Sequence, residues 1–154
     1  MFSFLKNKKE FFSEEERESI VAAVQTAEQR TSGEVRVFVE HRCRYVNAID
    51  RAIEIFGNLQ MYKTDLRNAV LVYVATKDRQ LAVLGDEGIH QKVGDQYWED
   101  EVKKMIAAFN RDNVAEGVRQ CVLSIGETLC THFPYNNDTD KNEFRDYNIF
   151  KTNI

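Results

Sequence analysis

The chain has 154 residues, with 21 Lys and Arg against 25 Asp and Glu, which gives a formal net charge of −4. Its hydrophobic fraction of 43% is enough to bury a core and excludes a disordered or fibrous chain. The acidic balance argues against a nucleic-acid partner. Three Cys without a pairing pattern predict a reducing compartment, and no apolar run reaches the roughly 20 residues of a membrane span. We therefore expect a cytoplasmic protein.

The first predicted elements are a helix and a strand. Ser13 and Glu16 match the capping-box pattern that opens a helix, and apolar residues at helical spacing extend it over 13–31. Valines then alternate with charged residues and Phe over 34–40, which predicts a strand. Asn47 is the predicted cap of a second helix. Its apolar stripe comprises Ile49, Ala52, Ile53, Phe56 and Leu59.

A hairpin is predicted in the middle of the chain. Residues 69–75 are apolar on both faces, which favours a central strand covered by helices on both sides. A turn at 77–78 leads to a third strand over 80–84, which must be antiparallel to the second. Two helices follow, the first marked by apolar residues over 98–109 and the second capped by Asn113.

The order α-β-α-β-β-α-α predicts a single-domain α/β/α sandwich with a small mixed sheet. A strand–helix–strand connection makes the first two strands parallel. The first residues of these two strands and the last residues of the third therefore lie at the same end of the sheet. We call this end, where the three loops meet, the acidic edge. Its loops carry Glu34, Asp65, Asp86 and Glu87, together with Arg67 and Asn68.

The acidic edge is the candidate site. Oxygen ligands without His or Cys favour Ca²⁺ or Mg²⁺ over zinc. We predict Glu34, Asp86 and Glu87 as metal ligands, with Asp65 as a weaker candidate. Arg67 and Asn68 are the candidate cofactor-binding residues. The alternative is that these carboxylates are solvated loop acids, some of them paired with Arg67.

Motifs for catalysis are missing from the sequence. No Cys is followed by Arg at the spacing of a tyrosine-phosphatase loop, and no Gly-Lys-Ser/Thr of a P-loop is present. Only Arg67 is placed to hold a phosphate. Whether the protein is an enzyme is therefore left open by the residues alone.

Several stretches resemble the TPM domain, a family named for a thylakoid lumen protein, a photosystem II repair factor and an acetylcholine-receptor modulator. They are 31–37, 66–75, 77–79, 83–89 and 109–125, with 133–135 matching the end of the short form. The resemblance covers roughly 13–134 and is closest to the short cytoplasmic bacterial form. It implies an α/β/α sandwich, divalent-metal binding through acidic loop residues, often of Ca²⁺, and the acid phosphatase label transferred from the thylakoid member.

The shift in composition after Pro134, the acidic edge and the resemblance together give the expected domain boundaries and three hypotheses for function. We expect a TPM-like domain over 1–134 and an acidic, mobile tail over 135–154. The first hypothesis is a Ca²⁺- or Mg²⁺-binding domain that acts through an unknown protein partner. The alternatives are a metal-dependent phosphatase acting on a phosphomonoester and a scaffold domain without a ligand.

Overall fold

The computed structural model describes residues 11–135 and, beyond them, the backbone of Thr152–Asn153. The predicted tail over 135–154 falls almost entirely outside the described residues and stays a prediction. The elements in chain order are α1 (Glu14–Glu28), β1 (Glu34–Glu40), α2 (Ala48–Asn58), a 3₁₀ turn (Met61–Lys63), β2 (Ala69–Ala75), β3 (Gln80–Gly85), α3 (Glu87–Val93), α4 (Asp95–Asn110), α5 (Val114–His132) and β4 (Thr152–Asn153).

The sheet is mixed and has the strand order β3-β2-β1-β4. β1 and β2 are parallel, with Glu34 opposite Ala69, and β2 and β3 are antiparallel, with Val70 opposite Gly85. The two-residue strand β4 runs parallel to the end of β1. This arrangement confirms the predicted α/β class, the order of elements and the position of β2 at the centre.

Two apolar layers hold the sheet between helices. One face of the sheet packs against α1, α4 and α5 through the alternate valines of β1 and β2. The other face packs against α2, around the fully buried Tyr73. Every residue of β2 is buried, as expected for a strand covered on both faces. Within the described residues, no helix combines the length and apolar character needed to cross a membrane. The cytoplasmic location stays a prediction.

The predicted N-cap residues are confirmed at three helix starts, and two of them make the expected side-chain bond. Ser13 forms the expected capping box with Glu16, and Asn47 accepts a hydrogen bond from the Asp50 amide at 2.9 Å. Asn113 is the N-cap residue of α5 as predicted, but its side chain makes no capping hydrogen bond. Glu116, which would have completed this cap, instead accepts two hydrogen bonds from Arg119, because a side-chain partner lies within reach on the next turn.

The apolar stripe of α2 is also partly wrong. Ala52, Ile55 and Phe56 are buried, whereas Ile49 and Ile53 are 42% and 54% exposed. Helical spacing alone predicted too many buried residues. α2 packs on only part of the sheet, over β2 and β3, so one side of the predicted stripe is left exposed.

Candidate functional site

The acidic edge forms where predicted, because the register of the three strands brings their loops together. The Asp86 amide donates to the Ala69 carbonyl at 2.9 Å, and the Glu34 amide approaches the Asn68 carbonyl at 3.4 Å. The end of β3 and the starts of β1 and β2 therefore lie side by side. The candidate residues nevertheless separate into distinct groups.

One group is built around Arg67. Its Nε donates to Asp86 Oδ2 at 2.7 Å, its Nη2 donates to Asp86 Oδ1 at 2.8 Å, and its Nη1 donates to Glu87 Oε1 at 3.2 Å. The two-pronged bond to Asp86 raises the pKa of Arg67, so the guanidinium stays charged. Two carboxylates thus converge on a single positive charge, and that charge belongs to the chain itself.

The backbone around this ion pair is tightly fixed. Asp86 caps α3 by accepting a hydrogen bond from the Glu87 amide at 2.8 Å, and the next amide, that of Gly88, donates to the Arg67 carbonyl at 2.8 Å. A Cβ on Gly88 would lie 2.0 Å from the Leu66 carbonyl oxygen, so only glycine fits there. Arg67 itself has a φ of 52°, a left-handed conformation that is uncommon for a residue with a side chain.

A second group pairs Glu34 with Glu28, a residue that the sequence interpretation missed. Burial raises the pKa of the Glu28 carboxyl above its ordinary value, while its hydrogen bonds with the Glu34 side chain and the Val35 amide oppose that increase. The bond from the Val35 amide to Glu28 Oε2 measures 3.2 Å. No motif points to Glu28, because it lies in the last turn of α1 and meets Glu34 only after the chain reverses direction.

Asn68 is part of the framework between these groups. It is 1% exposed, its Nδ2 donates to Ser32 Oγ at 3.2 Å, and its amide donates to Thr64 Oγ1 at 3.1 Å. Its Oδ1 is buried without a hydrogen-bond partner among the described residues. Asp65, in contrast, is exposed in the loop that leads to Arg67.

The separation of Glu34 from Asp86 follows from the strand order. β2 lies between β1 and β3, and neighbouring strands are about 4.8 Å apart, so the two backbones are separated by about 10 Å. Within residues 11–135, no three His, Cys, Asp or Glu side chains are grouped so that they could hold a metal ion. The structure thus brings Asp86 and Glu87 together around Arg67, and it brings Glu34 together with Glu28.

The chain is similar to known proteins over most of its length. The model of the TPM domain matches residues 5–128. The solution structure of the BA42 protein from the psychrophilic bacterium Bizionia argentinensis is 34% identical, with a TM-score of 0.84, and the match covers 96% of this chain and 99% of that one. No curated protein matches this chain.

Two more distant structures share the fold. The N-terminal domain of the cg2496 protein from Corynebacterium glutamicum is 15% identical, with a TM-score of 0.59 and coverage of 77% of this chain and 74% of that chain. The N-terminal domain of a protein from P. gingivalis is 16% identical, with a TM-score of 0.60 and coverage of 81% and 82%. The family match and the similarity to BA42 lead to one conclusion: this chain belongs to the TPM domain family.

Proposed function

We propose that this TPM domain binds one divalent cation, Ca²⁺ or Mg²⁺, at Asp86 and Glu87, and that the ion replaces the Arg67 guanidinium. The observation that carries the proposal is the convergence of both carboxylates on this one positive charge. Oxygen ligands of this kind suit either ion. Asp65 does not group with Asp86 and Glu87, so the further ligands that the proposal includes are backbone carbonyls and water.

The exchange is physically accessible because the two partners differ in exposure. The Asp86 side chain is 7% exposed, whereas the Arg67 side chain is 41% exposed and can swing into solvent without disturbing the core. Ion pairs with an exposed partner are weak, since water screens the charges. A divalent cation, with twice the charge and no side-chain entropy to lose, competes for the same carboxylates.

Glu34 contributes less directly under this proposal. Its carboxyl is about two strands away from Asp86 and is joined to Glu28. We propose that it adds negative potential at the acidic edge and is not itself a ligand, because it is the first residue of β1 and is held in the sheet.

We propose that the bound ion acts through a protein partner. Leu66, which precedes Arg67, is 54% exposed, and Tyr62 in the 3₁₀ turn is 45% exposed. Release of Arg67 from Asp86 would change the charge and shape beside these apolar side chains, which gives a partner a surface that depends on the ion. The phosphatase alternative has less support, because the guanidinium that would hold a phosphate is engaged by two carboxylates.

Calorimetric titration of the full chain with Ca²⁺ and with Mg²⁺ tests the proposal. We expect a dissociation constant on the order of 10⁻⁵ to 10⁻³ M for the wild type. Asp86→Asn should abolish binding, and Arg67→Gln should tighten it because the competing cation is gone. Glu116→Gln is the matched control, since Glu116 is also held in a two-pronged bond by an arginine.

The outcomes separate the hypotheses. Binding that is lost in Asp86→Asn and tightened in Arg67→Gln supports the exchange. Binding that is the same in the wild type, Asp86→Asn and Arg67→Gln places the ion elsewhere. No binding in either the wild type or Arg67→Gln favours the scaffold domain without a ligand.

A further inference from the structure

α4 and α5 form an antiparallel pair with a cavity beside their contact. Glu101 lies opposite Ser124, and Ala108 lies opposite Gly117, so the two helices run in opposite directions. A Cβ on Gly117 would lie 2.4 Å from the Ala108 Cβ, which shows how closely the helices approach at that level. The cavity has a volume of about 240 Å³, and none of the described residues that line it belongs to the acidic edge.

The inner end of this cavity covers a buried carboxylate. Glu101 is 2% exposed, and its Oε2 accepts hydrogen bonds from Ser124 Oγ at 2.8 Å and from Lys104 Nζ at 3.3 Å. Both partners line the cavity, as does Cys121. Burial, followed by the charge of Glu101, raises the pKa of the Cys121 thiol. The Glu101 carboxylate therefore lies directly behind this wall of the cavity.

One oxygen of that carboxylate lacks a hydrogen bond. Glu101 Oε1 is buried and has no hydrogen-bond partner among the described residues. Buried polar atoms in folded proteins almost always have a partner, and leaving a charged acceptor without one is destabilising. A ligand that brings a hydrogen-bond donor to the inner end of the cavity would supply the missing bond.

Lys104 both lines the cavity and neutralises Glu101. Its side chain is 67% exposed, and its bond to Glu101 is long for a charged pair. An ion pair with such an exposed partner is weak, since water screens the charges. The lysine can therefore turn into solvent, and the inner end of the cavity then carries the negative charge of Glu101.

The outer end of the cavity has the opposite character. Arg111 and Asn113 line it, and within residues 11–135 their side chains make no hydrogen bond or ion pair. Because Asn113 makes no capping bond, the first amides of α5 keep unused donors. The start of a helix carries partial positive charge, which adds to that of Arg111. Glu116, the acid at this end, is bound through both oxygens by Arg119.

We propose that the cavity binds a short peptide with both termini free, its ammonium group on Glu101 in place of Lys104 and its carboxylate on Arg111 and Asn113. The charges at the two ends of such a ligand complement those at the two ends of the cavity. The seven residues from 117 to 124 of α5 rise by about 10 Å, and an extended peptide of about three residues has a similar length. Binding here does not depend on the ion proposed for the acidic edge.

Titration of the full chain with triglycine in EDTA, followed through the backbone amide signals by NMR, tests the proposal. We expect saturable shifts of the Gly117 and Ser124 amides, which lie at the two ends of the cavity. N-acetyl-triglycine lacks the ammonium charge and triglycine amide lacks the carboxylate. Each should therefore bind about tenfold more weakly than triglycine.

Variants of the two charged ends give a second set of expectations. Glu101→Gln and Arg111→Gln should each weaken triglycine binding about tenfold, because each removes a charge that the ligand contacts. Lys104→Gln should tighten binding, because the competing ammonium is gone. Lys103→Gln is the matched control, since Lys103 is the neighbouring exposed lysine of α4 and is not among the residues that line the cavity.

The comparison of the three ligands uses the wild type alone, so it decides the matter even if Glu101→Gln does not fold. Triglycine that causes no saturable shift contradicts the proposal. Equal binding of triglycine and either of its capped forms contradicts it as well. So does an affinity that Lys104→Gln leaves unchanged, or that Lys103→Gln raises to the same extent.

Discussion

Two arginine–carboxylate pairs with the same geometry have different surroundings in this molecule. Arg51 donates through Nε and Nη2 to the two oxygens of Glu40, both at 2.9 Å, and Arg67 does the same to Asp86 at 2.7 and 2.8 Å. The Glu40 side chain is 1% exposed and also accepts a hydrogen bond from the buried Tyr73 hydroxyl. Arg51 is mostly covered, whereas Arg67 stands at the surface.

The comparison teaches that bond geometry alone does not distinguish the covered pair from the pair for which we propose an exchange. Around Glu40, burial and the hydroxyl of Tyr73 hold the carboxylate in place, and burial followed by the Glu40 contact raises the pKa of Tyr73. The Glu40 carboxylate is 1% exposed, so a lost partner leaves it in a site with little access to solvent. At Asp86 the arginine is 41% exposed, and the proposed exchange with an ion from solution depends on that exposure.

Glu40→Gln should have the largest effect on stability. It removes the charge that compensates Arg51 in a site closed to water, which costs about 3 kcal/mol. The expected decrease in melting temperature is roughly 6 to 12 °C, measured by calorimetry or circular dichroism. Glu54→Gln is the control, because Glu54 contacts the same Arg51 from the exposed side. An equal decrease in both variants would mean that burial does not distinguish the two contacts.

Asp86→Asn should have a smaller effect in the absence of metal. Asn still caps helices, so the bond to the Glu87 amide can persist, and only the exposed contact with Arg67 is weakened. We expect a decrease in melting temperature well below that of Glu40→Gln. Millimolar Ca²⁺ should raise the melting temperature of the wild type and leave that of Asp86→Asn unchanged. A larger loss of stability than in Glu40→Gln would show that the surface pair is the structural one.

Glu28→Gln should produce the smallest change, and its sign should depend on pH. The folded-state pKa of Glu28 is raised by burial, so ionisation is easier in the unfolded chain, and stability is lost as pH rises above the unfolded pKa. The variant should therefore be more stable than the wild type at pH 7, and this advantage should disappear near pH 4. Urea unfolding at both pH values measures it, and a variant that is less stable at pH 7 would contradict the account.

Much of the fold was predictable because it depends on local patterns. The apolar run of β2, the alternation in β1 and the short turn before β3 determine the sheet without knowledge of tertiary contacts. The short helix α3 was not predicted, because Gly85 to Gly88 reads as a turn in the sequence. Its start depends on Asp86 as a cap and on bonds to the Arg67 carbonyl, which only the folded chain supplies.

The sequence located the candidate site at the acidic edge, but it did not predict which residues of that edge contact each other. Strand direction places Glu34 and Asp86 at the same end of the sheet, but it does not give the distance that β2 sets between them. Which side chains contact each other was not predictable either. Arg67 contacts Asp86, and Glu34 contacts Glu28, because of side-chain directions that residue spacing does not determine. The sequence also gives no exposure for individual arginines, and the two pairs differ in that exposure, which is 21% for Arg51 and 41% for Arg67.

The most direct test of the exchange is the NMR signal of the Arg67 Nε–H during titration with Ca²⁺. In the metal-free protein this proton is hydrogen-bonded to Asp86 and should exchange slowly with water. The account predicts that its signal shifts and its exchange accelerates in proportion to bound Ca²⁺, while the Arg51 Nε–H stays unchanged. An Arg67 signal that remains constant while Ca²⁺ binds would contradict the account.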